Sequence, residues 1–146
     1  KTITRVMKTK GVKRILVLST TAFGLPGETV SASGRYLPAK SQILFAISQY
    51  TWPRWLVSCM PPIIVPQGHA EMRAIALNVA SEDALDWTIF RVPFLTEKPG
   101  DIKVEAGLMG PDYKGGFELS RVSLVKWVLE EIREPKWIHG APVLGN

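Results

Sequence analysis

The chain has 146 residues, 46% hydrophobic and 21% charged, with a formal net charge of +5. That is one domain's worth, enough to bury roughly two-thirds of the unfolded chain's surface. A single cysteine, Cys59, excludes an internal disulfide and any thiolate metal cluster, and this points to a reducing, cytoplasmic setting.

The positive charge is uneven. Lys1, Arg5, Lys8, Lys10, Lys13 and Arg14 all precede the first acidic residue, Glu28. The run lacks interleaved aromatics, so it reads as a solvated helix face and not as a nucleic-acid surface. It also lacks the apolar core and cleavage site of a signal peptide. Ile3, Val6 and Met7 fall at helical spacing, with Gly11 as terminator. Residues 13–19 follow as an apolar, buried-type strand ending in Ser19, Thr20 and Thr21. Residues 20–40 hold Gly24, Pro26, Gly27, Gly34 and Pro38 among small polar residues, which predicts a long loop.

From Ser41 to Ala70 the only formal charge is Arg54, and Tyr50, Trp52 and Trp55 cluster there. Pro53, Pro61, Pro62 and Pro66 rule out an uninterrupted transmembrane helix. Three readings of 41–66 stand: core packed on a sheet, a hydrophobic lid over a ligand pocket, or a membrane or partner contact that includes self-association. A helix is expected over 68–82, with Ala70, Ile75, Ala76 and Val79 inward. Asp86–Val92 alternates and is β-branched and aromatic, so it predicts a strand, broken at Pro93 into a loop carrying Phe94 and Leu95. Short strands are expected over 102–106 and 116–119. Ser120 should cap a helix over 121–133 with Val122, Val125, Trp127 or Val128, and Ile132 facing inward. Residues 136–146 read as a short strand or coil. There is no internal repeat. The expected fold class is α/β, with 13–19 and 86–92 as parallel strands of one sheet and the helices packed on it.

In an open α/β sheet a ligand lies outside the carboxyl ends of the strands, where Ser19, Thr20, Thr21 and Arg91 stand here. A buried arginine needs partners, so Arg91 should tie its strand end to a nearby carbonyl. Tyr36-Leu-Pro-Ala-Lys40 fits Y-x-x-x-K. In a helix that spacing would let the ammonium lower the phenol pKa for proton exchange with a carbonyl or hydroxyl. Pro38 and the glycine-rich flanks favour loop over helix, so a chance match is the opposing reading. Glu71 is explained by a helix dipole, while His69 reads as a surface residue or one facing a pocket. Cys59, among apolar residues, reads as an inert buried thiol. His69 and His139 are too far apart for a metal motif, and no metal is expected.

The pieces Gly11-Val12-Lys13-Arg14-Ile15-Leu16-Val17-Leu18-Ser19, the helix around Glu71, Leu85–Pro93 and Leu119–Val125 occur in order over most of the chain. Together they resemble the NmrA-like, atypical short-chain dehydrogenase/reductases. The resemblance implies the carboxyl-terminal part of a Rossmann-like NAD(P)-binding domain, parallel sheet with flanking helices, across residues 1–146. It implies a function on, or sensing of, a small hydrophobic ligand, with oxidoreductase chemistry in a full-length context. A non-catalytic regulatory or interaction module, and a cofactor-free isomerase or cyclase reusing the pocket, are the alternatives.

Ser19, Tyr36 and Lys40 are the candidate catalytic set by resemblance to the general short-chain dehydrogenase pattern. NmrA-like relatives commonly lose the Tyr–Lys pair, and the helix that holds it corresponds better to residues around 68–80 here. Ser19, Thr20, Thr21, Arg91, Pro93, Phe94 and Leu95 are candidate cofactor contacts, because the relatives' loop after the arginine passes the nicotinamide. His69, Tyr50 and Trp55 are candidate substrate contacts. The sequence departs from the family in three places. Thr88-x-x-Arg91-x-Pro93 carries one extra residue, Val92, and Ser123 replaces an aspartate. The Gly-rich turn that holds the cofactor pyrophosphate is absent, since glycines 11, 24, 27, 34 and 68 do not form it. A fragment or natural truncation lacking the first βαβ half is the simplest expectation, and this chain alone should bind NAD(P) weakly or not at all.

Overall fold

A computed structural model describes residues 2–21, 25, 66–98, 102–108 and 113–146. In chain order its elements are α1 (Thr2–Thr9), β1 (Arg14–Thr20), α2 (Pro66–Ala80), β2 (Asp86–Val92), β3 (Phe94–Thr96), β4 (Glu105–Gly107), β5 (Glu118–Ser120), α3 (Arg121–Arg133) and β6 (Val143–Gly145).

β2 is buried on both faces from Trp87 to Val92, which its uncharged, β-branched and aromatic sequence permits everywhere but Arg91. β1 lies parallel to it in unbroken register, from Arg14 opposite Asp86 to Thr20 opposite Val92. β6 flanks its other side, also parallel, with Arg91 opposite Val143. β4 closes the described sheet antiparallel to β6, giving the order β1-β2-β6-β4. β3 and β5 form a separate parallel pair. The loop expected after Pro93 is therefore a strand from Phe94 to Thr96, and its first N–H donates to the Phe117 carbonyl at 3.0 Å.

The period-two alternation of the strands divides the core in two. Ile15, Val17, Trp87 and Ile89 meet Ala76 and Val79 of α2 on one face. Leu16, Phe90 and Val92 meet Leu124, Trp127 and Val128 of α3 on the other. Helices thus cover both faces of a mainly parallel sheet, a partial Rossmann-like α/β fold. No helix among the described residues is long and apolar enough to cross a membrane.

Gly11 ends α1 with φ of 69°, the left-handed conformation that glycine adopts without strain. Val12 N–H reaches back to the Met7 carbonyl at 2.9 Å and Gly11 N–H to Lys8 at 3.3 Å, a Schellman ending. The helix itself turns Ile3 and Val6 to solvent and buries Thr4.

In α2 the inward pair is Ala76 and Val79, whereas Ala70 and Ile75 are exposed. That helix starts at Pro66, whose missing N–H costs nothing in a first turn, so exposed Glu71 sits in the second turn, away from the helix end. In α3 the expected inward residues Val122, Val125 and Ile132 are exposed, and Ser123, Trp127 and Glu131 are buried instead. Ser120 occupies the cap position of α3 in an extended conformation, but its hydroxyl donates to the Lys98 carbonyl at 2.7 Å and caps nothing.

Candidate functional site

The strand ends gather some of the residues the sequence singled out, Ser19, Thr20 and Arg91 among them. Ser19 and Arg91 are register partners on adjacent parallel strands, with Thr20 opposite Val92 one step further. Ser19 is 0% exposed, and its hydroxyl has no hydrogen-bond partner among the described residues. A buried hydroxyl without a partner costs on the order of 1–3 kcal/mol, so its retention at a strand end calls for an explanation such as a ligand. Thr20 and Thr21 continue from it, half-buried.

Arg91 is buried, and its guanidinium donates to the Ala141 carbonyl while its backbone N–H donates to Pro142 at 2.8 Å. The arginine thereby fixes the segment before β6 against the end of β2. This is the tie to a neighbouring carbonyl that burial demands. Beyond it the chain crosses half-buried Pro93 and enters β3, where consecutive side chains part. Phe94 is 53% exposed, while Leu95 packs into the core beneath α3. The two candidate contacts are separated by the strand's alternation, which leaves Phe94 the more accessible.

His69 stands half-buried in the first turn of α2. Tyr36, Lys40, Tyr50 and Trp55, Cys59 and the lid segment 41–66 except Pro66 lie outside the described residues. Among the described residues no group of three acidic, histidine or cysteine side chains could hold a metal ion.

The opposite, amino ends of the strands hold a second polar centre that pattern reading does not anticipate. Glu131, 3% exposed on α3, accepts Arg14 Nη2 at 2.8 Å, Trp137 N–H at 2.9 Å, and Lys136 N–H at 3.1 Å on each of its oxygens. Arg14 also donates to the Asp86 carbonyl at 3.0 Å, so β1, β2, α3 and the 136–137 turn meet at one ion pair. Asn146 does similar work at the far end of the chain. Its Oδ1 accepts Ser120 N–H at 2.7 Å and its Nδ2 donates to Ile102 and Lys103 at 3.1 and 3.3 Å. Both are structural joints, and an unbroken polar–apolar pattern contains no signal for either.

An open cleft of about 700 Å³ lies between β4, α3 and the 134–137 turn, lined by Lys103, Glu105, Trp127, Glu130 and Trp137 among others. It is mixed in charge and lies outside the strand-end constellation.

No family model matches the chain, and no curated protein does. Solved structures do match in fold. A short-chain dehydrogenase/reductase from Veillonella parvula, crystallised with NADP, aligns over 99% of this chain and 55% of its own, at 18% identity and a TM-score of 0.62. An oxidoreductase from Lactococcus lactis aligns over 97% of this chain and 50% of its own, at 15% identity and a TM-score of 0.56. The likeness is one of fold, and this chain spans about half the length of the structures it matches.

Proposed function

We propose that this chain forms the nicotinamide- and substrate-facing half of an NmrA-like, NAD(P)-binding domain that acts on or senses a small hydrophobic ligand in the cytoplasm. The observation that carries the reading is Ser19: a buried hydroxyl with no described partner, opposite Arg91, at the carboxyl ends of two adjacent parallel strands. A ligand oxygen at this crevice would give that hydroxyl its hydrogen bond.

In this reading Thr20, Thr21, Pro93 and Phe94 line the cofactor's nicotinamide end, and Leu95 and Arg91 hold the wall behind it. A bound nicotinamide supplies hydride chemistry. Ser19, with Tyr36 and Lys40, orients a substrate oxygen and exchanges its proton. His69, Tyr50 and Trp55 contact the hydrophobic ligand, and 41–66 covers it. The residues present fit the nicotinamide side alone: no Gly-rich turn in the sequence offers backbone N–H groups to a pyrophosphate.

Affinity for the intact dinucleotide should therefore be weak. Calorimetry with NADH and NADPH is expected to show no micromolar binding. Amide NMR spectra at millimolar NADPH should shift Ser19, Thr20 and Phe94. Ser19→Ala should reduce those shifts while leaving stability unchanged or raised by about 1 kcal/mol, because it removes a buried hydroxyl with no partner among the described residues. Shifts confined to any other face, or none at any concentration, would sink the proposal.

A further inference from the structure

β1 lies at one edge of the described sheet, and little about it suits an edge. Asp86 N–H donates to the Lys13 carbonyl, while the N–H groups of Ile89 and Arg91 turn the other way, to Gly140 and Pro142. In a parallel ladder this sends the backbone groups of Ile15, Val17 and Ser19 to β2. Those of Leu16 and Leu18 point outward, where no described strand pairs with them. Natural edges are blunted by brevity, charge, proline or a bulge. β4, at the far edge, is three residues long and opens with Glu105. β1 instead runs seven residues in unbroken register, and its one charge, Arg14, is turned back to Glu131. Its middle is Ile-Leu-Val-Leu, with Leu18 exposed. Such a strand suits the interior of a parallel sheet.

α1 shows which way the sheet continues. Lys8 bridges to Glu82, just past the end of α2, so the two helices lie side by side on one face. α2 covers β1 and β2. A short turn joins α1 to β1, so α1 falls on the outer side, over the space beyond β1. Thr4 and Lys8 face α2, and Ile3 and Val6, on the other side of the helix, stand uncovered there. β1 feeds α2 to reach β2 by a crossover on this face. A strand feeding α1 with the same right hand would lie on the open side of β1 and run parallel to it. A second copy does not fit. A two-fold axis normal to the sheet would pair the two edges antiparallel and carry the second copy's α1 over β1, where α2 already packs. The solved structures that share the fold hold about half their length outside the alignment, enough chain for such a strand. We propose that the outer edge of β1, roofed by α1, takes an apolar strand of a partner polypeptide in parallel register. Running parallel, that strand would end beside Ser19 and Thr20 and wall the crevice there. The pairing itself does not depend on what the crevice binds.

The test is amide hydrogen exchange by NMR on the 146-residue chain, alone and with a short Val- and Ile-rich strand peptide. Alternate N-methylation leaves the peptide one pairing edge, and a nitroxide marks its amino end. In the chain alone the Leu16 and Leu18 amides should exchange at least about tenfold faster than those of Val17 and Ser19. Peptide at about millimolar concentration should slow them about tenfold. The nitroxide should broaden Arg14 more than Thr20, which reports the parallel orientation. Leu18→Pro removes an outward N–H that bonds nothing in β2, so it should fold and abolish the response to peptide. Should circular dichroism show that variant unfolded, Val6→Lys, exposed on α1, should weaken binding about tenfold. Leu16 and Leu18 protected as strongly as Val17 without peptide would mean an edge already covered, and overturns the proposal. If dilution abolished that protection, the cover would be a second copy. No slowing by the peptide, or broadening strongest at Thr20, overturns it as well.

Discussion

Arg14 and Glu131 show how much one pair can hold when three elements share it. The carboxylate is buried and satisfied on both oxygens by two backbone N–H groups and a guanidinium. Glu131→Ala would leave that guanidinium and both amides short of an acceptor. Breaking one side of such a buried pair costs about 3–5 kcal/mol, so a comparable loss of unfolding free energy is expected in urea. The Arg14→Met, Glu131→Leu double variant should lose less than the sum of the singles.

The Lys8–Glu82 pair is of a different kind, solvent-accessible and joining α1 to the end of α2. The Lys8 ammonium hydrogen-bonded to Glu82 holds its carboxyl below the ordinary value of 4.5. A carboxyl with a depressed folded pKa contributes stability that is present above its unfolded pKa and is lost as pH falls through the folded one. Glu82→Gln should therefore lower the melting temperature slightly at pH 7, with the gap to the parent closing below pH 4.5. A gap independent of pH would contradict the assignment.

Element by element, what could be read from sequence depended on how each segment is buried. β2 was legible as a strand from its β-branched and aromatic residues, but the alternation read there did not foretell its burial on both faces from Trp87 to Val92. α3 was legible as a helix, with matching ends, but its inward side was not. Apolar residues occupy both sides, and the buried side includes Ser123 and Glu131, which a polar–apolar rule assigns to solvent. Their burial is possible because Ser123 donates to the Ile102 carbonyl at 3.1 Å and Glu131 receives the 136–137 amides. Those partners come from other parts of the fold, so no local pattern encodes them. The same holds for Ile3 and Val6 of α1, whose helical spacing is real while the face they define stays in solvent.

The two sides of α3 can be told apart by substitution. Trp127 packs against Phe90 with ring centroids 5.7 Å apart and a tilt of 57°. Trp127→Ala should cost about 3–5 kcal/mol by emptying that contact. Val125→Lys, on the exposed stripe, should stay within about 0.5 kcal/mol of the parent. Denaturant midpoints of the two variants decide it, and equal costs would restore the inward assignment of Val125.

At the scale of the molecule, the described residues form a sheet with a helix on each face and a polar strand-end constellation around Ser19 and Arg91. The order of motifs along the chain sufficed for that architecture, because parallel strands with a helical crossover have few solutions. It did not suffice for the site. The placement of Ser19 and Arg91 at strand ends was legible, but the split of Phe94 from Leu95 depends on the β3–β5 pairing, which Pro93 conceals. The remaining candidates, Tyr36, Lys40, Tyr50 and Trp55, fall outside the described residues.

The central claim is that this chain carries the nicotinamide side of a dinucleotide site and not the pyrophosphate side. Saturation-transfer NMR on the 146-residue chain with two half-ligands, reduced nicotinamide mononucleotide and ADP-ribose, tests it most directly. The account predicts transfer to the nicotinamide ring protons, diminished by Ser19→Ala, and little or none to ADP-ribose. Transfer to ADP-ribose equal to or stronger than that to the nicotinamide half would contradict it.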